Sequence, residues 1–112
     1  EISLPVYKLE KNDGWCDDSN HPLYNQPVKH PFEGSAEHLW RDDHLYDLIL
    51  VIGHNDTPPI ANKGSAIFVH SAREGKDRHG FGHTRGCIAL AQSDLLDLLH
   101  YVDQQSFIHI RA

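Results

Sequence analysis

Between His70 and Cys87 the chain carries Gly75, Gly80, Gly82 and Gly86, four glycines within twelve residues. Each glycine in a helix interior costs about 0.5–1 kcal/mol relative to alanine, so a helix is not expected there. His79, His83 and Cys87 stand at i, i+4 and i+8, a spacing that would align metal ligands on a helix face; without the helix no zinc site is expected. The segment is a loop joining two extended runs. Ser65-Ala-Ile-Phe-Val-His70 enters it as a buried strand, and Thr84-Arg-Gly-Cys-Ile-Ala-Leu90 leaves it. A histidine is thus mounted at a strand exit, and a cysteine follows a glycine elbow.

That pairing is a candidate nucleophile and base. A free thiol is only a few per cent thiolate near neutrality, until a neighbouring imidazole takes its proton. Cys87 is the candidate nucleophile and His70 the candidate base. Gly86 allows a close approach of backbone to substrate, and successive N–H groups there could receive a developing oxyanion. Thr84 could orient the loop or donate a hydrogen bond. The plain alternatives are a buried cysteine, among the most buried residue types, and a hydrogen-bonded structural histidine.

At these residues the chain resembles the L,D-transpeptidase (YkuD-like) catalytic domain, whose pattern is a histidine, a loop of about this length, then Ser/Thr-x-Gly-Cys. Here that reads His70, then Thr84-Arg85-Gly86-Cys87. The resemblance extends from Asp13-Gly-Trp-Cys-Asp-Asp18 through His44-Leu-Tyr-Asp47 and Gly53-His-Asn-Asp56 to Ile110, and looks like a small bacterial branch of the family. It implies that Cys87 accepts the acyl group, that His70 is its base and that the main-chain carbonyl of Ser71 steadies the imidazole. Two positions depart from the pattern. Arg85 stands where many members have histidine, and Ala89 where many have a polar Arg or Asn. Arg85 could pair with a substrate carboxylate or be a solvated loop residue.

With 112 residues the chain makes one domain, spanning 1–112, with one modest core. A net charge of −6 without a Lys/Arg cluster argues against nucleic acid as a partner. The longest apolar run, Leu48 to Ile52, is too short to span a bilayer. The chain starts at Glu1 and contains no methionine, so a processed or truncated product is expected. The resemblance implies further strands from upstream sequence, which makes this the C-terminal portion of the catalytic domain, from a precursor carrying a secretion signal.

No internal repeat or low-complexity tract is present. Ile2 to Leu9 reads as an edge strand, and Asn12 to Pro31 as a long loop anchored by Trp15 and Tyr24. A short helix is predicted around Ala36 to Trp40, then a buried strand from Tyr46 to Gly53 and a turn at Asn55 to Pro59. Ser65 to His70 is the next strand. Ser93 is a good N-cap with Asp94 in the first turn, and Leu95, Leu96, Leu98, Leu99 and Val102 form an apolar helical stripe. A last strand is predicted over Ser106 to Arg111. The fold class is therefore mainly β with one substantial helix, and the resemblance implies an L,D-transpeptidase-like mixed sheet or β-sandwich lacking its N-terminal strands.

Candidate substrate contacts are Thr84, Arg85 and His83 in the glycine-rich loop, Tyr46 at the start of a strand beside that of His70, and His54 after the same strand. Core packing is the safer reading of Tyr46, and His54 could equally stabilise a turn. Cys16 could pair with Cys87 in an oxidising compartment, but that bond would cap the nucleophile, so an unpaired thiol is favoured. Asp17 and Asp18 read as loop caps.

The function implied by the resemblance is peptidoglycan L,D-transpeptidation in the bacterial cell envelope, periplasmic or secreted. The Cys87 thiolate would attack the carbonyl of an L-residue in a stem peptide, expel a D-amino acid and pass the acyl group to an amine. No cofactor is needed, and carbapenem-type inhibitors would react at the same thiol. The alternatives are hydrolysis of the same acyl-enzyme, as an L,D-carboxypeptidase or amidase, and a non-catalytic wall-binding module.

Overall fold

The computed structural model describes residues 2–72 and 87–109. The first sheet is built where the sequence suggested a loop and a short helix. Its central strand is β1 (Asp13–Cys16), flanked antiparallel by β2 (Pro27–Lys29) and β3 (Ala36–His38). Gly14 makes this packing possible: a Cβ there would lie 2.5 Å from the His30 Nε2 and 2.8 Å from the Glu37 carbonyl oxygen. The flanking strands close on β1 because that position has no side chain.

The second sheet is mixed, ordered β4 (Ile49–Val51), β5 (Phe68–Ser71) and β6 (Ile88–Leu90). β4 pairs antiparallel with β5, which pairs parallel with β6. All three are rich in β-branched and large apolar residues, the composition that suits a pleated buried surface. The single helix among the described residues, α1 (Gln92–Leu99), packs on β5 through the fully buried Leu95. The domain is mostly β, with two small sheets and one helix.

Trp15 joins the sheets. Its ring meets Phe68 edge-on, with centroids 5.1 Å apart. Around that contact lie buried Leu39, Tyr46 and Ala66, with Leu9, Leu45, Ile49 and Cys87 packed against them. Asn25, almost fully buried, fastens the same junction from the side. Its Nδ2 donates to the carbonyls of His54 (3.0 Å) and Asn55 (2.7 Å), while its Oδ1 accepts from Trp15 Nε1 at 2.9 Å and from the Ala66 amide at 3.3 Å. Asparagine also tolerates the left-handed backbone found here, φ 62°.

Several sequence expectations are corrected. Residues 36–40 are not helical: Ala36 to His38 pair with β1, because strand pairing overrides the modest helix preference of so short a segment. Asn12 to Pro31 is not one loop, since it contains β1 and β2. Ile2 to Leu9 forms no strand, and the contacts of Tyr7 run to Asp13 and Lys29 instead. The strands expected over Tyr46–Gly53 and Ser65–His70 are confined to Ile49–Val51 and Phe68–Ser71. The helix begins at Gln92 and ends at Leu99, so Ser93 lies inside its first turn and Ala91 is the N-cap, without a side-chain bond. Residues 106–109 are not a strand, and Phe107 is fully exposed; Ile110 and Arg111, the end of the expected strand, lie outside the described residues. No helix among the described residues is long and apolar enough to cross a membrane.

Candidate active site

β5 is buried at every residue, and His70 is only 3% exposed. Pairing with Ile49 on one side and Ala89 on the other fixes its backbone. The Nδ1–H of His70 donates to the Ser71 carbonyl oxygen at 2.7 Å. A carbonyl can only accept, so this bond places the proton on Nδ1 and leaves Nε2 as the basic nitrogen. The Ser71 hydroxyl is buried without a partner among the described residues.

Cys87 immediately precedes β6. The register pairs Val69 with Ile88, which sets Cys87 beside Phe68. Its sulfur receives the Phe68 amide N–H at 3.5 Å, and its S–H donates to the Ala66 carbonyl at 3.2 Å. Burial pushes the Cys87 thiol up from its ordinary pKa; the Phe68 amide pulls it down, and the nearby Glu37 charge pushes it up again. Among these groups the balance favours the protonated thiol.

Tyr46 gathers the site. Phe68 and His70, two residues apart on one strand, project to the same face. The Tyr46 ring meets both edge-on, with centroids 6.0 Å from Phe68 and 5.4 Å from His70. Cys87 packs against this same cluster. From β3, Glu37 reaches the far end of the ring, where the Tyr46 hydroxyl lies 3.4 and 3.5 Å from its two carboxylate oxygens. Burial, then the charges of Glu37 and Cys87, push the Tyr46 phenol well above its usual range. Burial, then the charge of Asp17, also raises the Glu37 carboxyl, against smaller opposing effects of the Tyr46 hydroxyl and Arg41. The Arg41 guanidinium lies 5.4 Å over the Tyr46 ring, and a surface cavity of about 410 Å³ opens between Tyr46, Arg41, Trp40 and His44.

A family model for the L,D-transpeptidase catalytic domain, YkuD, matches residues 3–110. The chain belongs to this family. No curated protein and no solved structure matches it. Membership makes it an L,D-transpeptidase-type catalytic domain of a cell-wall family that acts on peptidoglycan. The structure brings His70, Ser71, Tyr46 and Cys87 into one neighbourhood of this YkuD domain. His54 is held in a turn by Nε2 donating to the Lys63 carbonyl at 3.1 Å. Thr84, Arg85, Gly86, His83 and His79, and with them the zinc reading, lie outside the described residues. Cys16 is fully buried, and neither it nor Cys87 is in a disulfide.

Glu37 was not among the residues that sequence reasoning singled out. Its segment reads locally as a helix, and only the pairing with β1 aims the carboxylate at Tyr46. The amide of Phe68 and the carbonyl of Ala66 were missed because backbone groups carry no sequence signature.

Proposed function

We propose that this YkuD domain is a cysteine-dependent transferase of the cell envelope that uses Cys87 and His70 to cross-link peptidoglycan stem peptides. The observation that carries this reading is the Nδ1–H bond of His70 to the Ser71 carbonyl, on a strand whose neighbour begins just after Cys87. It leaves Nε2 as a rigidly mounted acceptor for the thiol proton. The thiolate then attacks the carbonyl of an L-residue in the donor stem. The departing D-amino acid takes the proton from Nε2, and a thioester on Cys87 remains. The amides around Gly86 and Cys87 would hold the oxyanion, and Thr84, Arg85 and His83 would contact the stem. An amine of a second stem completes the transfer.

Incubation with defined muropeptides, followed by mass spectrometry, tests the reading. A cross-linked dimer from the wild type, none from Cys87→Ala, and a carbapenem adduct mapping to Cys87 are the expected results. A hydrolysed monomer would indicate a carboxypeptidase, unchanged substrate a binding module, and an adduct on Cys16 would refute the nucleophile assignment.

A further inference from the structure

Glu37 is a half-buried carboxylate with no cation in contact among the described residues. Its pairing with Trp15 across β1 and β3 puts both side chains on the face of the first sheet that turns to the second. There Trp15 meets Phe68 and Glu37 meets Tyr46. Two carboxylate oxygens offer about four acceptor positions, and the single Tyr46 hydroxyl proton can satisfy one of them. Among the described residues Glu37 forms no ion pair. The Arg41 guanidinium has only the smallest of the effects on Glu37 and spends its Nε and Nη2 on Asp43. Asp17 adds a second negative charge rather than relief. A carboxylate held out of water in this way gains from any cation that reaches it. The chain's net charge of −6 favours the arrival of one.

The acyl transfer proposed above has one cationic participant, the acceptor amine, and the inference rests on that reading. We propose that Glu37 is the acceptor subsite: its carboxylate, held by the Tyr46 hydroxyl on the cluster that carries Cys87 and His70, binds the incoming ammonium and takes the proton it must lose before attack. The ammonium gives one proton to Glu37. The neutral nitrogen then forms the amide bond as the C–S bond of the thioester breaks, and its second proton passes through His70 to the departing sulfur. Water needs no such subsite, so Glu37 sets the balance between transfer and hydrolysis.

The experiment is a partition measurement on the full chain. A donor stem is supplied with either a diamino-acid stem or hydroxylamine, which is already uncharged at neutral pH, and dimer, hydroxamate and hydrolysed monomer are counted by mass spectrometry. Glu37→Gln is expected to shift the partition from dimer towards monomer at least tenfold, with most of the loss in the acceptor KM, while hydroxamate formation persists. Glu37→Asp should restore part of the transfer. In the wild type, an acceptor with a trimethylated ammonium should inhibit dimer formation competitively, which tests the subsite without any variant. An unchanged dimer-to-monomer ratio in Glu37→Gln, or equal losses with amine and hydroxylamine, would overturn the subsite. If the wild type forms no acyl-enzyme at all, the transferase reading fails first and the subsite falls with it.

Discussion

Two of the bonds at the Cys87 sulfur favour opposite states. The Phe68 amide suits a thiolate, whereas the Ala66 carbonyl can only accept from S–H. Burial and the Glu37 charge outweigh the Phe68 amide and hold the thiol above its ordinary range. Alkylation by iodoacetamide in a Cys16→Ser background should therefore rise with a midpoint above that of an ordinary thiol, about 8.5. A midpoint near neutrality would mean that a stored thiolate–imidazolium pair exists. Asn25 is the structural counterpart, since four bonds converge on one buried amide in a left-handed backbone. Asn25→Ala leaves buried backbone groups unpaired and strains the backbone, and is expected to cost at least ~2 kcal/mol in denaturant unfolding. A cost within experimental error would show that water replaces the amide.

The elements that carry the candidate nucleophile and base were legible, because β4 and β5 lie in continuous apolar runs and α1 in a helical apolar stripe, none of which needs a partner to be read. His70 ends such a run, and Cys87 follows a glycine, so both could be placed from local sequence. The sheet of β1, β2 and β3 was not legible. Its strands are three or four residues long, interrupted by Gly14 and begun by Pro27, and their pairing depends on contacts distant in sequence. Glu37 was lost with it, and so was the acidic side of the site. Gly14→Ala tests whether this sheet is what positions Glu37. The added methyl meets the Glu37 carbonyl and the His30 ring; the ring can turn aside, but the carbonyl belongs to β3. The expected outcome is a loss of stability together with the same shift towards hydrolysis as in Glu37→Gln. Lost stability with an unchanged product ratio would separate β3 from the site.

Two carboxyls tie the whole molecule's stability to pH with opposite signs. Asp13 lies where the N-terminal segment meets the first sheet. Burial alone would raise it, but Lys29 and the Glu10 amide outweigh burial and hold it below its usual value of 3.8. Its contribution is present above that value and is lost as pH falls through the depressed folded value. Glu37 is raised above its usual 4.5, so its contribution is present below 4.5 and is lost as pH climbs through the raised folded value. The fold should accordingly lose stability as pH falls through the depressed Asp13 value and again as pH rises through the raised Glu37 value, because ionised Glu37 is half-buried between the two sheets and forms no ion pair among the described residues. That cost is what a site held ready for an ammonium would carry. Glu37→Gln is therefore expected to flatten the decline in Tm above pH 4.5 and to raise the Tm on the alkaline side of it, whereas Asp13→Asn should flatten only the acid limb below 3.8. A Glu37→Gln chain that melts lower than wild type there, with the decline intact, would mean that the carboxylate is satisfied in the fold and has no need of an incoming amine.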